Sequence, residues 1–346
     1  MDAAKRTDTD ADPSGAAWPI SFKDVLEARI RIRARMPPTP LRRYAALDAA
    51  AGGGMAVWVK HENHNPTNSF KARNALSMMA GLSEADRRRG VVAATRGNHG
   101  LGVAWAGSLL GVAVTICVPR GNNPEKNEGM RGLGAALVEE GNDYDESLEV
   151  ARRLVAERGL RMVHSTNDPA VIAGAATVTL EILEERPSMD ALVVSVGGGS
   201  QAVGAITVAR AIKPGLPVFA VQAERASAAH DSWHAGRPIT KTSADTFADG
   251  LATRSVYEMT FPALLSGLAG FVLVSEAEMA ESVLLLLRTT HNLAEGAGAA
   301  GLAGLLKLRA ELEGRNVGII LSGGNMDRET LGRVLSGELS RARVNL

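Results

Sequence analysis

The chain of 346 residues lacks the features that mark several large classes of protein. Its one cysteine, Cys117, excludes an internal disulfide and the usual multi-cysteine zinc sites. Its 38 basic and 38 acidic residues give a formal net charge of zero, so the charge indicates neither nucleic acid nor an anionic membrane as a partner. There is no apolar run of about 18 residues or more, and residues 1–17 lack the apolar stretch of a signal peptide. We therefore expect a cytoplasmic protein with a disordered tail over residues 1–17.

Short β-branched runs alternate with longer amphipathic segments along the rest of the chain. The runs that predict strands are Ala56–Lys60, Val91–Thr95, Val112–Val118, Ala191–Val196, Val218–Gln222, Phe271–Ser275 and Val317–Leu321. The segments that predict helices are Lys71–Leu82, Leu101–Leu110, Asp143–Arg158, Ala170–Glu185, Ala202–Ile212, Ala277–His291, Ala297–Glu313 and Arg328–Gly337. This alternation indicates an α/β fold with mostly parallel sheets, and the length suggests two domains.

Two local signals add detail to this pattern. Ser21 precedes an early helix over Phe22–Arg35, with Asp24 as a capping-box partner, and Met36-Pro37-Pro38 ends it. Cys117 lies within the apolar run Val114–Val118, where we expect a buried core thiol.

The first segment that indicates chemistry is Asn65–Arg73, which leads from a predicted strand into a predicted helix. Lys71 would stand at the start of that helix, behind Ser69 and Phe70. Partial burial and the positive end of the helix both lower the pKa of an amine, which favours imine formation. A solvated surface lysine is the alternative.

Two further strand-to-helix segments have the character of anion sites. In Thr95-Arg-Gly-Asn-His-Gly100, amides at a helix N-terminus could bind a carboxylate or a phosphate. In Ser195-Val-Gly-Gly-Gly-Ser-Gln201, three consecutive glycines let the backbone close around a phosphate. Both segments could instead be structural turns that require glycine.

The last two segments are weaker signals by themselves. Phe247–Thr253 contains Ala-Asp-Gly and has little standalone meaning. Leu321-Ser-Gly-Gly-Asn325 leaves the last predicted strand, where the hydroxyl of Ser322 could meet a ligand or simply form a turn. Ligands of parallel α/β sheets bind at the carboxyl ends of strands, which is where these segments fall.

Taken in order, the five segments resemble the motifs of the β-family (fold type II) of pyridoxal-phosphate (PLP) enzymes, above all its threonine and serine dehydratases and serine racemases. The resemblance runs from about Phe22 to Gly337. It implies an α/β fold of two domains with mostly parallel sheets, similar to the β subunit of tryptophan synthase. Residues 18–90 and 168–346 would form a large PLP-binding domain, and residues 91–167 a small mobile domain.

The resemblance also implies a role for each motif residue. Lys71 would be catalytic and would carry PLP as a Schiff base, with Phe70 against the pyridine ring and Asn98 on the ring's 3′-oxygen. The phosphate would be held by Gly197, Gly198, Gly199 and Ser200, and Ser322 would meet the pyridine nitrogen. The residues implied around the substrate carboxylate are Ser69, Thr95, Arg96, Gly97, Asn98 and His99.

The implied reaction is β-elimination from a small L-β-hydroxy amino acid, which yields a 2-oxo acid and ammonia. Freed Lys71 would remove the α-proton, and the β-hydroxyl would leave with a proton supplied through the cofactor phosphate. The substrate stays open among threonine, serine, phenylserine and hydroxyaspartate. A β-replacement transferase and an amino-acid racemase are the alternatives. The resemblance further implies a homodimer, and a chain that ends too soon for an isoleucine-responsive regulatory domain.

Three places depart from the family pattern or stay undecided. Arg96 stands where the relatives carry serine; arginine is a poor base, which disfavours racemisation, but it could clamp a carboxylate of the substrate. It could equally point to solvent or pair with a local acid. Glu295 falls in an active-site region without an assigned role. Glu224 lies near a metal site of some relatives, but His230 replaces an expected oxygen ligand, so we expect no metal.

Overall fold

The computed structural model describes residues 18–341, and the tail expected over residues 1–17 lies outside that range. The strands in this range are β1 Leu41–Arg43, β2 Ala56–His61, β3 Val91–Ala94, β4 Val114–Val118, β5 Ala136–Glu139, β6 Arg161–Met162, β7 Ala191–Ser195, β8 Val218–Ala223, β9 Gly270–Val274 and β10 Asn316–Leu321. The helices are α1 Phe22–Arg33, α2 Ala45–Ala51, α3 Lys71–Ala80, α4 Glu84–Arg89, α5 Asn98–Leu110, α6 Pro124–Gly132, α7 Tyr144–Arg158, α8 Pro169–Glu185, α9 Ser200–Ile212, α10 Ala228–Ala235, α11 Phe261–Gly267, α12 Glu276–Thr290, α13 Gly296–Lys307, α14 Arg328–Leu335 and α15 Glu338–Arg341.

All the predicted strands and helices are present, but some of their ends differ. The strand predicted from Val112 begins at Val114, because Gly111 adopts a left-handed φ of 65° and the amide of Val112 still bonds to the carbonyl of Gly107. The helix predicted over Ala297–Glu313 ends at Lys307 and continues as turns. The short elements β1, α2, α4, α6, β5, β6, α10, α11 and α15 were not predicted, because their few residues give too little periodicity.

A six-stranded sheet forms the larger layer, in the order β1-β2-β10-β7-β8-β9. All its neighbours pair parallel except β1, which runs antiparallel to β2 at the edge. Side chains of β7 alternate between two apolar clusters: Val193 packs on the face covered by α12 and α13, and Val194 packs on the face covered by α8 and α9. Both faces are therefore buried, which explains the near-continuous apolar runs.

A four-stranded parallel sheet, ordered β5-β4-β3-β6, is built from residues between Val91 and Met162. Its faces are also buried: Val91 and Ile116 pack on one side, Val92 and Cys117 on the other. The prediction of a buried thiol at Cys117 is thus confirmed. The predicted capping box of α1 is confirmed as well, since Ser21 and Asp24 exchange hydrogen bonds.

The ends of the strands bring the chemically important segments together. Lys71 begins α3, Asn98 begins α5 after β3, and Ser200 begins α9 after β7. Ser322 follows β10 directly, and its carbonyl accepts a hydrogen bond from the amide of Phe70 at 3.0 Å. No helix in residues 18–341 is long and apolar enough to cross a membrane.

Candidate active site

A cavity of about 380 Å³ lies where the carboxyl ends of strands from both sheets face each other. Thr95 follows β3, Gly197 follows β7 and Ser322 follows β10, and all three line it. The helix N-termini of α5 and α9 open toward the same space. The fold thereby collects polar loops and unpaired helix amides around one cleft, as expected for parallel α/β sheets.

The amine of Lys71 stands in this cavity at the first residue of α3. Its Nζ donates a hydrogen bond to the carbonyl of Ser165 at 3.0 Å and lies 4.9 Å from the centre of the Phe70 ring. Burial lowers the pKa of the Lys71 amine to about 8, in the direction that the sequence predicted. A substantial fraction of the amine is therefore uncharged and nucleophilic near neutral pH.

A buried network of charges fixes the helix that carries Lys71. Arg73, two residues on, donates hydrogen bonds to Glu62 at 2.7 Å and to Glu181 at 2.7 Å, and Lys60 pairs with Glu181 at 2.7 Å. The side chains of Lys60, Glu62 and Arg73 are fully buried. Burial works to lower the pKa of Arg73, but the carboxylates of Glu62 and Glu181 outweigh it and raise that pKa. The two cations and two anions balance, which a buried cluster requires.

Asn98 is held between two other side chains on the cavity wall. Its Nδ2 donates to Oε1 of Glu295 at 2.5 Å, and its Oδ1 accepts from Asn325 at 2.7 Å. Burial raises the pKa of the Glu295 carboxyl, although Lys126 and Asn98 act against this shift. Glu295 therefore has a defined contact in the structure: it orients the Asn98 amide.

The loop from Thr95 to His99 is shaped by its own side chains. The hydroxyl of Thr95 accepts hydrogen bonds from the amides of Gly97 at 2.9 Å and Gly100 at 3.3 Å. His99 donates from Nε2 to the carbonyl of Val163 at 2.8 Å, which leaves Nδ1 as the ring's acceptor. Burial, followed by the charge of Lys71, lowers the pKa of His99 to about 3. His99 is thus a neutral imidazole in the cavity wall.

The glycine loop between β7 and α9 approaches a second backbone closely. A Cβ on Gly197 would stand 2.2 Å from the carbonyl oxygen of Gly250, and Gly199 has a left-handed φ of 97°. Both positions therefore require glycine. The loop carbonyls are occupied, since Thr260 donates to Gly198 at 2.8 Å. The amides in the first turn of α9 have no acceptor within the helix, so they are available to an anion.

Ser322 is a buried side chain on the cavity wall, and the partly buried Ser195 lies on the same wall. The hydroxyl of Ser322 lies 3.4 Å from the carbonyl of Ala297, and that of Ser195 lies 3.0 Å from the same carbonyl. The Lys71 loop is attached to the Ser322 loop by a bridge between Ser69 and Gly323. The first and fifth motifs are thereby neighbours in space.

Arg96 lines the cavity and pairs with a local acid. Its guanidinium lies 3.8 Å from the carboxylate of Asp249, which accepts a much closer hydrogen bond from Lys126 at 2.6 Å. About half of the Arg96 side chain is exposed. Burial works to lower the pKa of Lys126, but Asp249 and Glu295 outweigh it and raise that pKa. Because Asp249 is already bound to Lys126, Arg96 retains donors that can meet another acceptor.

A cluster of hydroxyl groups lies on the side of the cavity near Ser165. The Tyr144 hydroxyl is 3.4 Å from Oγ of Ser165, and the Tyr257 hydroxyl interacts electrostatically with both. The edge of Tyr257 packs on His164, with ring centres 5.3 Å apart. The ring Nδ1 of His164 accepts from the amides of Thr166 and Asn167, which orders this part of the loop.

Of the site residues named from the sequence, all but Ser69 line the cavity. Ser69 is buried beside it, where its hydroxyl accepts from the amide of Lys71 at 3.3 Å. The sequence analysis missed Lys126, Tyr144, Ser165, Gln201 and Tyr257, all of which line the cavity. Gln201 ended a motif that was recognised, but the other four lie in no motif and had no sequence signal.

The candidate metal region lies apart from this cavity. His230 approaches Asp231 at 2.9 Å, and its ring is tilted by 58° against that of His234, with ring centres 4.4 Å apart. Within residues 18–341 no three His, Cys, Asp or Glu side chains are grouped so that they could hold a metal ion.

Comparison with known proteins decides the family. The model of the family described as "Pyridoxal-phosphate dependent enzyme" matches residues 32–323, which is most of the chain. The chain belongs to this family. Within it, the chain falls in the fold type II group that contains threonine dehydratases and serine racemases.

Individual relatives agree with that placement. An L-threonine ammonia-lyase of Thermotoga maritima is 37% identical over 323 residues, covering 93% of this chain and 80% of the relative. An L-threo-3-hydroxyaspartate ammonia-lyase of a Pseudomonas species is 33% identical over 317 residues, covering 92% of this chain and 99% of the relative. The structure of maize serine racemase superposes with a TM-score of 0.87 at 28% identity, covering 93% of this chain and 98% of that one.

The residues present fit the cofactor of the family. The glycine loop lines the cavity, and the amides at the start of α9 can bind a phosphate there. The side-chain amide nitrogen of Gln201, buried at the start of α9, has no hydrogen-bond acceptor within the described residues. An unpaired buried donor is costly, so an acceptor such as a phosphate or ring oxygen accounts for its presence. PLP is accordingly the cofactor of this enzyme.

Proposed function

We propose that this enzyme eliminates the β-hydroxyl group of a small L-amino acid and releases a 2-oxo acid and ammonia. Relatives named for the same reaction on threonine and on 3-hydroxyaspartate support this assignment. The observation that carries it is the placement of the Lys71 amine, with its pKa lowered to about 8, in a cavity that the glycine loop also lines. The enzyme is thus a PLP-dependent carbon–oxygen lyase.

The cofactor would be held by residues from three loops. Lys71 would form the covalent bond, and the amides of Gly197, Gly198, Gly199 and Ser200 would bind the phosphate. Phe70 would pack against the ring, while Asn98, oriented by Glu295, would hydrogen-bond the ring oxygen. When bound, PLP supplies the electron sink that stabilises negative charge at the substrate's α-carbon.

Lys71 would act as the base that takes the α-proton. Its low pKa makes the amine a competent acceptor near neutral pH, and the carbonyl of Ser165 holds its Nζ in place at 3.0 Å. The buried charges around Arg73 hold the start of α3, so the amine is attached to a rigid element. The two ring nitrogens of His99 do not compete for this proton, because the pKa of His99 is lowered to about 3.

The substrate carboxylate would lie at the N-terminus of α5. The amides of Asn98 and His99 lie in the first turn of that helix, and the Thr95 hydroxyl keeps the loop in shape by accepting a hydrogen bond from the Gly97 amide. Ser69 would support carboxylate binding only indirectly, by shaping the Lys71 loop, because its side chain does not line the cavity.

Ser322 would meet the pyridine nitrogen with a neutral hydroxyl, so the electron sink is milder than with an acidic partner. A milder sink favours prompt elimination over transamination.

Racemisation and β-replacement are the alternative reactions of the same machinery. Racemisation needs a second base on the opposite face of the substrate, and the family's serine there is replaced by Arg96, which stays protonated. β-Replacement would give product only in the presence of an added nucleophile such as sulfide. An assay that follows the 2-oxo acid without added nucleophile separates both from elimination.

The experiment that tests the proposal is the substitution Lys71→Ala. We expect loss of turnover of L-threonine, L-serine, L-phenylserine and L-threo-3-hydroxyaspartate, together with loss of the absorbance of covalently bound PLP. The matched control is Lys23→Ala, since the Lys23 side chain is 84% exposed on α1. Retained activity of Lys71→Ala would remove the whole assignment.

We also propose the domain boundaries, the cellular location and the oligomeric state. Residues 91–167 would be the small mobile domain, and residues 18–90 and 168–346 the large one. The enzyme would be a cytoplasmic homodimer with an amino acid as its partner. Sedimentation of the purified protein at twice the chain mass of 36.2 kDa would support the dimer, and sedimentation at one chain mass would contradict it.

A further inference from the structure

The chain contains three tyrosines, and two of them meet on one wall of the cavity. Tyr144 is the first residue of α7, in the segment between β5 and β6. Tyr257 lies in the loop before α11, more than a hundred residues later. The Tyr144 hydroxyl lies 3.4 Å from Oγ of Ser165, and the Tyr257 hydroxyl interacts electrostatically with both groups. We call Tyr144, Ser165 and Tyr257 the hydroxyl cluster.

The hydroxyl cluster adjoins the reacting amine. Ser165 contributes its Oγ to the cluster and its carbonyl oxygen to Nζ of Lys71, at 3.0 Å. The amine of Lys71 and the hydroxyl cluster therefore meet at the same residue, Ser165, through two different oxygen atoms. A β-substituent is one bond away from the α-carbon, so a substrate positioned for Lys71 brings it toward this wall.

The hydroxyl cluster is also held in place by the neighbouring His164 ring. Tyr257 packs its ring edge-on against His164, whose Nδ1 accepts two amide hydrogen bonds from its own loop. Burial, together with Tyr144, raises the pKa of the Tyr257 hydroxyl, so that hydroxyl keeps its proton. The wall is accordingly a fixed set of neutral donors, which can offer a hydrogen bond but does not transfer a proton.

We propose that the hydroxyl cluster binds the β-hydroxyl group of the substrate, and that Tyr257 is a specificity-determining residue of this enzyme. The inference rests on the proposed elimination and adds the part of the site that recognises the group to be eliminated. A hydroxyl is a poor leaving group, and donors aimed at its oxygen stabilise the charge that develops as the carbon–oxygen bond breaks. A buried wall of donors also disfavours an apolar β-substituent, because the donors would be left unpaired.

A substrate with a different leaving group tests this assignment. β-Chloro-L-alanine undergoes the same α-proton removal by Lys71, but chloride leaves without protonation and accepts hydrogen bonds weakly. In the holoenzyme of Tyr257→Phe we expect kcat/KM for L-serine and L-threonine to fall about tenfold, the value of one lost hydrogen bond of about 1.4 kcal/mol. We expect kcat/KM for β-chloro-L-alanine to stay within about twofold of the wild type.

Two further variants make the test specific. Tyr144→Phe removes the second phenol, and we expect the same selective loss. Tyr44→Phe is the matched control, because the Tyr44 hydroxyl bonds to His61 at 2.9 Å outside the cavity. We expect this control to turn over both kinds of substrate as the wild type does.

The outcomes separate this inference from the function on which it rests. Equal losses on the hydroxy substrates and on β-chloro-L-alanine would mean that the cluster is only structural, and unchanged values for both in Tyr257→Phe would mean that it does not contact the substrate. Either result overturns the inference and leaves the elimination intact. A wild-type enzyme that acts on β-chloro-L-alanine but on no β-hydroxy amino acid would instead overturn the proposed function, and the inference with it.

Discussion

The Lys71 amine has two neighbours that set its chemistry, the carbonyl of Ser165 and the ring of Phe70. Neither is an anion, so nothing offsets the cost of burying a positive charge, and the pKa falls to about 8. An ordinary lysine titrates near about 10.4. This difference has a measurable consequence for how the apoenzyme takes up its cofactor.

We expect the rate of covalent attachment of PLP to the apoenzyme to rise with pH and to level off above about pH 8, where the Lys71 amine is uncharged. A continued rise toward about pH 10 would mean an ordinary lysine pKa. Stopped-flow absorbance of the attached cofactor measures the rate.

Because the pKa of Lys71 is lower in the folded state than in the unfolded state, the folded apoenzyme binds fewer protons. Its stability should therefore increase with pH between about 8 and about 10.4.

Arg96 is the second residue whose individual chemistry can be tested. It reaches Asp249 only loosely, at 3.8 Å, and keeps donors that face the cavity. In Arg96→Ser we expect kcat/KM for L-threo-3-hydroxyaspartate to fall about tenfold or more, since a charge-assisted hydrogen bond contributes about 1.5–3 kcal/mol. L-Threonine, which has no second carboxylate, should be affected less. Unchanged steady-state kinetics on every substrate would exclude a contact between Arg96 and a carboxylate.

At the scale of elements, α3 couples Lys71, the proposed catalytic residue, to the core. Lys71 begins the helix, and Arg73 attaches the same turn to Glu62 and to Glu181 on α8. The backbone of Lys71 therefore cannot shift without disturbing a buried ion-pair network. Removing one member of such a network costs more than the network contributes, because the remaining charges stay buried without partners.

We expect Arg73→Leu to lower the free energy of unfolding by about 3–5 kcal/mol, because Glu62 and Glu181 lose their bidentate partner. Urea denaturation followed by circular dichroism measures this change. The control is Arg88→Leu, whose ion pair with Glu84 is exposed on α4 and should change stability by less than about 1 kcal/mol. Equal effects of the two substitutions would show that the buried network does not stabilise α3.

At the scale of the whole molecule, ion pairs connect the segment of the four-stranded sheet to the loop before α11. Arg254 pairs with Asp143 at 3.3 Å and also with Asp145, at the rim of the cavity. Lys126 and Arg96 pair with Asp249 farther along the same rim. Each pair joins residues 91–167 to the remainder of the chain, across the space that the substrate must enter.

We expect Arg254→Met to raise KM for the amino-acid substrate by less than about fivefold, because each pair is largely exposed and worth less than about 1 kcal/mol. Added sodium chloride should also raise KM of the wild type, because it screens these ion pairs. It should affect Arg254→Met less, since the charge of Arg254 is already removed. Arg131→Met, which breaks a surface pair with Glu139 away from the cavity, is the control. A salt response equal in the wild type and in Arg254→Met would contradict a role for these ion pairs.

The sequence alone determined the parts of this enzyme that depend on neighbours along the chain. Alternating apolar runs predicted the parallel α/β fold because strands buried on both faces need such residues. Lys71, the Thr95–His99 loop, the glycine loop and Ser322 were found because each directly joins a strand to a helix or leaves a strand, and such junctions have local signatures.

Tertiary structure decided what lies between those junctions. Arg73 and Glu181 are 108 residues apart in sequence, and Tyr144 and Tyr257 come from different parts of the chain. No periodicity or spacing links such residues, because their contact depends on how the two sheets face each other. The same dependence applies to Ser69, whose hydroxyl is turned toward its own loop rather than into the cavity. Local sequence therefore specified the loops that we propose to bind the cofactor, while packing between distant segments specified the wall that we propose to meet the substrate.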